Sequence, residues 1–241
     1  MLKAYGMKDV GRCRSMNQDY IFISEKPIGN LPNLFLVADG MGGHQAGELA
    51  SEYTVSMVRE AVEKSMQTIP LQILKGAFQY ANQKLLEKAK ESPAYAGMGT
   101  TLVAATVVGD TAYIANAGDS RLYKVGSTME QITEDHSLVE EMVRMGEISK
   151  EEARNHPEKN IITRAIGIAQ TVEPDYYDAP LQPGECLLLC SDGLSNMVAD
   201  AQMKEILDGR ESLASGVTEL VHAANAHGGR DNIAVVVVEK G

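Results

Sequence analysis

The order of hydrophobic and polar segments along the chain predicts strands first, then a pair of helices, then consecutive strands, and finally more helices and a closing strand. A short apolar run that ends at a turn residue is typical of a strand buried on both of its faces. Gly and Asp turns separate several such runs in the middle of the chain. The predicted strands cover residues 19–24, 33–38, 100–109, 111–118, 120–126, 175–179, 185–191 and 232–240.

Helical spacing of apolar side chains predicts four longer helices between these strands. The first covers residues 46–66, and the second begins near Pro70, because proline is favoured in the first turn of a helix. Two more are predicted near 199–208 and 211–226. Regular alternation of strand and helix is absent, which favours an α+β fold over a doubly wound parallel sheet. We expect a layered sandwich with a large antiparallel core between pairs of helices.

Residues 134–160 differ in character from the rest of the chain, since they are charged and only weakly periodic, with helix-like segments at 137–145 and 149–155. We predict that they form a flap over the surface, beside the functional site. No linker, low-complexity tract or sequence repeat divides the chain, so we predict a single domain over residues 1–241.

Charge and cysteine usage exclude several classes of protein. The formal net charge is −11, with 33 acidic against 22 basic residues, which argues against binding of nucleic acid. No apolar run is long enough to cross a bilayer, and residues 1–10 lack the apolar centre of a signal peptide. We therefore expect Cys13, Cys186 and Cys190 to be reduced thiols in the cytoplasm, with the last two filling the core. No cysteine lies in a Gly-rich loop followed by Arg, which argues against a cysteine phosphatase.

Four aspartates lie in Gly-flanked motifs along the chain: Asp39 in ADGMGG, Asp119 in AGDSR, Asp192 in SDGLS and Asp231 in GGRDN. A single Asp-Gly pair after a strand is common turn chemistry. An ionised carboxylate at the end of a buried strand is costly unless it is paired, however, and carboxylates from adjacent strands can converge on a hard divalent cation. Gly40 lacks a Cβ, so its carbonyl could approach the same ion. The sequence therefore predicts a metalloenzyme.

Other candidate residues lie near these motifs. Arg14 and Asp19 precede the first strand; a lone arginine is commonly solvated, but beside a metal site Arg14 becomes a candidate phosphate clamp. His44 follows the Gly-rich turn 40–43, where it is either a solvent-facing or capping residue or the general acid for a leaving alkoxide. We expect surface or structural roles for the remaining histidines, which show no metal-ligand spacing: His136, His156, His222 and His227.

An ordered set of motifs carries a resemblance to a known family. RSMNQD, VADGMGGHQAGELAS, GMGTT, ANAGDSR, CSDGLS and GGRDNIAVVVV follow one another between Arg14 and Val238. This series resembles the metal-dependent Ser/Thr protein phosphatases of the type 2C class, and in particular their compact bacterial members. The resemblance covers almost the whole chain and implies a pair of antiparallel sheets sandwiched between helix pairs, with a variable flap at 134–160.

The resemblance implies a set of metal ligands. Asp39 would bridge two Mn²⁺ or Mg²⁺ ions, and the Gly40 carbonyl would support the second of them. Asp192 and Asp231 would hold the first ion. Asp119 would hold a third, looser ion, shared with Asp192.

The resemblance also implies roles in the reaction. Arg14 would grip the substrate phosphate, and Asp19 would orient metal-bound water. Phosphoserine and phosphothreonine in proteins would be hydrolysed directly by a water that the ions activate, without a phospho-enzyme. Many animal members have His directly after the Asp-Gly pair, where this chain has Met41, so His44 does not inherit the general-acid role by position.

The expected partners are phosphorylated proteins, and by family analogy the enzyme opposes a bacterial Ser/Thr kinase, which could itself be a substrate. We expect a monomer. One alternative is a two-metal phosphoesterase acting on nucleotides or small phosphate esters. A second is a partner-binding module on the same fold with a decayed site, and a third is a regulatory phosphatase dedicated to one partner.

Overall fold

The computed structural model describes residues 1–43, 45–154 and 156–241, in which two antiparallel β-sheets face each other and helices cover their outer faces. The strands are β1 (Leu2–Asp9), β2 (Asp19–Ser24), β3 (Leu34–Met41), β4 (Gly99–Thr100), β5 (Leu102–Val108), β6 (Thr111–Ala117), β7 (Arg121–Val125), β8 (Met129–Gln131), β9 (Asp175–Pro180), β10 (Cys186–Cys190) and β11 (Ile233–Lys240). The helices are α1 (Ala46–Lys64), α2 (Pro70–Ala89), α3 (Leu138–Arg144), α4 (Lys150–Arg154), α5 (Asp192–Ser195), α6 (Asp200–Asp208) and α7 (Leu213–Ala226), with a 3₁₀ turn at Pro93–Tyr95.

Each of the two sheets contains strands that are distant from one another in the sequence. One has the strand order β1-β11-β10-β7-β8, and the other has the order β2-β3-β5-β6-β9, with β4 paired to β3. Helices α1 and α2 pack on the second sheet, whereas α6 and α7 pack on the first. The predicted α+β sandwich of two antiparallel sheets between pairs of helices is confirmed.

Strand β3 is an example of a core strand that is apolar because both of its faces are buried. Leu34, Leu36 and Ala38 point towards α1 and α2, while Phe35 and Val37 point towards the opposite sheet. Successive side chains of a strand lie on opposite faces, so a strand between a helical layer and a second sheet buries all of them. Burial of each large apolar side chain contributes about 1.5–3 kcal/mol, which anchors the strand whose end carries Asp39.

The first strand is absent from those predicted. β1 pairs with β11 over its full length, from Leu2 opposite Lys240 to Asp9 opposite Ile233. It forms an edge of its sheet, and its side chains are mostly exposed or half-buried, so its sequence lacks the continuous apolar run of the other strands. Met1 and Gly241 exchange backbone hydrogen bonds beyond the end of this ladder.

Residues 134–160 contain α3 and α4, close to the two predicted helix-like segments; Asn155 lies outside the described residues. The two ends of this segment meet, since Ser137 forms a β-bridge with Ile162. Across the described ranges, no helix has both the length and the apolar character needed to span a membrane.

Candidate metal centre

A pocket of about 270 Å³ is lined by the four motif aspartates, Asp39, Asp119, Asp192 and Asp231. They come from the end of β3, the turn between β6 and β7, the start of α5 just after β10, and the turn just before β11. The structure therefore brings these four residues, which are far apart in the sequence, to one pocket. All four side chains are partly buried.

The two Asp-Gly motifs, although alike in sequence, place their aspartates differently. Asp39 lies within β3, where its backbone N–H donates to Thr101 Oγ1 at 2.9 Å and its carbonyl accepts the Thr101 N–H at 2.9 Å. Asp192 instead opens the short helix α5, and Asn196 Nδ2 donates to its Oδ2 at 2.9 Å. Asp192 Oδ1 is buried and has no hydrogen-bond partner.

The glycines of these motifs are required by close backbone contacts. A Cβ on Gly40 would lie 1.9 Å from the carbonyl oxygen of Gly47 in the first turn of α1. A Cβ on Gly193 would lie 1.8 Å from the carbonyl oxygen of Asn232, just before β11. Both distances are far below van der Waals contact, so each glycine allows two elements of the site to touch.

Burial and the charges of neighbouring carboxylates raise the pKa values of Asp39, Asp119 and Asp192. Burial raises the pKa of Asp39 well above its usual range, and the charges of Asp19 and Asp192 raise it further. Burial and the charge of Asp192 likewise raise the pKa of Asp119 well above its usual range. For Asp192, burial and the charge of Asp231 raise the pKa to about 6. Such a cluster of negative charges is unfavourable without a compensating cation.

The donor set fits hard divalent cations. It consists of carboxylate oxygens, which Mg²⁺ and Mn²⁺ prefer, and the buried Oδ1 atoms of Asp19 and Asp192 lack hydrogen-bond partners. In the described part of the chain, no three His, Cys, Asp or Glu side chains are already arranged so that together they could hold an ion.

Arg14 lies at this pocket, as predicted, but its guanidinium is paired with a predicted metal ligand. Its Nη2 donates to Asp231 Oδ2 at 2.8 Å, and its side chain is 50% exposed. This hydrogen bond and the charge of Asp231 raise the pKa of Arg14. Because Arg14 is half exposed at the pocket's edge, an incoming phosphate can reach it.

Asp19 is buried behind the pocket, opposite Asp39 in the β2–β3 ladder. Ser191 Oγ donates to its Oδ2 at 2.7 Å and accepts the Ala234 N–H at 2.9 Å. Burial, together with the charges of Asp192 and Asp231, raises the pKa of Asp19 to about 8. Ser191 was not among the site residues predicted from the sequence, although its position directly before Asp192 could have indicated that it lies at the site.

Some pocket residues were not predicted, and one predicted residue lies outside the described ranges. Asn160 and Ile162, at the end of the flap segment, line the pocket, and so does Thr101. The sequence predicted the flap beside the site and the GMGTT motif that contains Thr101, but it did not indicate which of their residues reach the pocket. His44 lies outside the described residues.

The cysteines behave as the sequence indicated. Cys186 and Cys190 are buried in the core of β10, where burial raises their pKa values to about 11 and about 12. Thiols with pKa values this high are poor nucleophiles. Cys13 is exposed, and all three cysteines are free.

Comparison with known proteins shows that this fold and its aspartate-lined pocket belong to a class of enzyme, the protein phosphatases. The chain belongs to the protein phosphatase 2C family, whose model matches residues 12–236. A serine/threonine phosphatase from Listeria welshimeri is 44% identical over 237 residues, covering 96% of this chain and 93% of that protein. The protein is thus a protein serine/threonine phosphatase.

Solved structures show the same fold. The Streptococcus agalactiae serine/threonine phosphatase superposes with a TM-score of 0.93 at 37% identity, covering 100% of both chains. The catalytic domain of the phosphatase PstP, in complex with two manganese ions, superposes with a TM-score of 0.86 at 33% identity, covering 99% of this chain and 97% of that one.

Proposed function

We propose that this phosphatase hydrolyses phosphoserine and phosphothreonine in proteins with two Mn²⁺ or Mg²⁺ ions in the aspartate-lined pocket. Asp39 would bridge the ions, Asp192 and Asp231 would hold the first, and the Gly40 carbonyl would support the second. The observation that carries this proposal is the convergence of these partly buried carboxylates on one pocket, in which the pKa values of Asp39 and Asp192 are raised. The relative PstP, whose structure contains two manganese ions, supports it.

We further propose that Asp119 and Asp192 hold a third, more weakly bound ion. Asp119 lies on the same pocket, and the charge of Asp192 is the largest electrostatic contribution to its raised pKa. The ions, when bound, would neutralise carboxylate and phosphate charge and make a water molecule acidic enough to act as nucleophile.

The chain's own residues would bind and orient the reactants. Arg14 would leave Asp231 to make charge-assisted hydrogen bonds to the phosphate oxygens. The Ser191 hydroxyl donates a hydrogen bond to Oδ2 of Asp19 and so holds this carboxylate in one orientation. Its other oxygen, Oδ1, has no hydrogen-bond partner and would orient a water molecule behind Asp39. His44, next to the Gly-rich turn 40–43, is a candidate general acid for the leaving alkoxide, although it does not occupy the position of the histidine in animal members.

The pocket lining argues against a phospho-enzyme on Ser, Thr, Cys or His, and the lining aspartates are proposed as ligands of the ions. Among the described residues that line it, Thr101 carries the only hydroxyl, and none is Cys or His. Thr101 Oγ1 accepts the Asp39 N–H and lies 2.7 Å from Ser120 Oγ, so it is engaged in the scaffold. Acid quenching of a reaction with labelled phosphopeptide is expected to leave no label on the protein.

We also propose that the enzyme acts as a cytoplasmic monomer with a single catalytic domain over residues 1–241. The free cysteines support a reducing compartment. The pairing of β1 with β11 joins the first and the last strand in one sheet, which supports a single domain. Its partners would be phosphorylated proteins, including a bacterial Ser/Thr kinase that it opposes. Light scattering coupled to size-exclusion chromatography measures the molecular mass in solution. The mass of a dimer would overturn the proposed monomeric state.

The test of function is phosphate release from a phosphothreonine peptide in EDTA, Mg²⁺ or Mn²⁺. We expect turnover with either metal and none in EDTA, with activity restored when metal is added back. A parallel panel of nucleotides and sugar phosphates is expected to react at least tenfold more slowly. A faster reaction with the small esters would favour the phosphoesterase alternative, and turnover in EDTA would exclude the metal mechanism.

Replacement of Arg14 by Ala is expected to raise KM and lower kcat, so that kcat/KM falls on the order of 10²-fold, because a charged donor to the transferring phosphate is lost. The free energy of unfolding should change by less than about 1 kcal/mol, since the Arg14–Asp231 pair is half exposed. The measurements are steady-state kinetics and thermal unfolding. The matched control is Arg12→Ala, which removes an exposed positive charge two residues away. Wild-type kinetics for Arg14→Ala would remove Arg14 from the proposed mechanism.

A further inference from the structure

Two apolar side chains, Met41 and Ile168, lie next to each other at the edge of the metal pocket. Met41 is half-buried and lines the pocket. It pairs with Gly99 in the β3–β4 ladder, and the side chains of directly opposite residues point to the same face of a sheet. Gly99 has no side chain, and the position that a Cβ would take there lies 2.7 Å from Ile168 Cδ1. Ile168 therefore occupies the space over Gly99, beside Met41.

The backbone holds Ile168 firmly in this place. Ile166 exchanges two backbone hydrogen bonds with Thr100, at 2.9 and 3.0 Å. Asn82 is buried; its Oδ1 accepts the Gly167 N–H at 2.7 Å, and its Nδ2 donates at 3.0 Å to the carbonyl of the residue that follows Ile168. The residues on both sides of Ile168 are thus anchored, although its own side chain is 54% exposed. The fold presents an isoleucine to solvent from a fixed position.

The segment that carries Ile168 has no charged side chain. Residues 165–172, AIGIAQTV, contain no Asp, Glu, Lys or Arg, in a chain in which 23% of the residues are charged. Residues 168–171 of this segment are exposed. Ile162, which is half-buried, adds a third apolar side chain to the pocket edge. This edge therefore suits an apolar group better than a charged one.

A phosphoprotein is the molecule that must approach this edge. A protein phosphatase takes the phosphorylated side chain into its pocket, so the residues before and after it pass over the pocket edge. An extended chain advances about 3.3 Å per residue, so residues within three positions of the phosphorylated one lie within about 10 Å of it. An exposed apolar patch that is continuous with a binding site marks a contact surface for what binds there.

We propose that Met41 and Ile168 form an apolar subsite, which binds an apolar side chain of the phosphoprotein within three residues of the phosphorylated residue. This inference rests on the proposed hydrolysis of phosphoserine and phosphothreonine in proteins. Burial of a leucine side chain against Ile168 and Met41 stabilises the enzyme–substrate complex and lowers KM, whereas an alanine covers less apolar surface.

The test compares kcat/KM, in Mn²⁺, for phosphothreonine peptides with Ala at the flanking positions and one Leu placed in turn at each of the three positions on either side. For the wild type, we expect Leu to raise kcat/KM about tenfold at one position, through KM. Ile168→Ser is expected to reduce this ratio of Leu to Ala peptide to about one, whereas Ile69→Ser should keep it at about ten.

Ile69 is the matched control, because it is an exposed isoleucine far from the pocket. It is 60% exposed and directly precedes α2. In the loop before it, the carbonyls of Ser65 and Gln67 accept hydrogen bonds from Asn30, which precedes the start of β3. Asp39 lies towards the opposite end of that strand. Ile69→Ser thus controls for the loss of an exposed apolar side chain as such.

A charged substitution at position 168 separates contact with the substrate from a structural role. Ile168→Lys keeps an aliphatic stem over Gly99 and adds a positive charge. At the position where the wild type prefers Leu, we expect this variant to prefer Glu over Leu about threefold. A structural role for Ile168 would not produce such a switch.

The outcomes also separate this inference from the proposed function. If the wild type releases no phosphate from any of the peptides, the proposed function fails, and this inference fails with it. If phosphate is released but no position favours Leu, or if the preference persists in Ile168→Ser, the subsite alone is overturned and the proposed hydrolysis stands. Should circular dichroism show Ile168→Ser to be unfolded, Ile168→Lys decides the question, and an unchanged preference for Leu would overturn the proposal.

Discussion

Replacement of Asp39 by Asn is expected to lower kcat by on the order of 10³-fold or more and, in EDTA, to raise the melting temperature. The activity falls because the substitution removes the carboxylate proposed to bridge the ions. The stability rises because the folded protein no longer holds that negative charge beside Asp19 and Asp192 in a desolvated pocket. A gain of about 1 kcal/mol would raise Tm by roughly 2–4 °C in a chain of this size.

The two effects have opposite signs, which distinguishes this result from simple unfolding. Steady-state kinetics and thermal unfolding with and without Mn²⁺ measure them, and the Mn²⁺-dependent rise in Tm should be smaller in the variant than in the wild type. Asp178→Asn, at an exposed position of β9, is the matched control and should leave both quantities unchanged. Near-normal turnover by Asp39→Asn would show that the ions are not bridged by this residue.

Replacement of Gly193 by Ala is expected to cost about 3 kcal/mol or more of folding free energy, or roughly 6–12 °C in Tm. The added Cβ would lie 1.8 Å from the Asn232 carbonyl oxygen, and a backbone atom cannot rotate away as a side chain can. Relief requires α5 and the start of β11 to separate. Because those segments carry Asp192 and Asp231, activity should fall with stability.

Gly76 provides the matched control for this substitution. It lies in α2, and a Cβ there would meet nothing within 4 Å, so Gly76→Ala should stabilise the protein by about 0.5–1 kcal/mol through improved helix propensity. Differential scanning calorimetry of both variants gives the comparison. A wild-type Tm for Gly193→Ala would mean that the two segments are not in the contact described.

The sequence predicted the buried strands well because their signal is local. In β3 and β10 every core position is apolar, since each strand is covered on both faces, and no tertiary knowledge is needed to recognise that pattern. β1 lacks this signal, because an edge strand with Lys3, Gly6 and Lys8 reads as a polar segment until β11 is seen beside it.

Only part of the candidate site could be predicted from the sequence. The shared pocket of the aspartates followed from repeated Gly-flanked motifs and from the family resemblance. The ion pair between Arg14 and Asp231 did not, because it joins residues 217 positions apart.

The antiparallel ladder of β1 and β11 has a practical consequence for handling the enzyme. Asp9 and Ile233 lie at the end of the ladder near Asp231, whereas Met1 and Gly241 are bonded to each other at the opposite end. Eight residues of strand at about 3.3 Å each separate the two ends by roughly 25 Å. A purification tag or a surface tether can therefore be attached at either terminus with the mouth of the pocket left open to a bulky phosphoprotein.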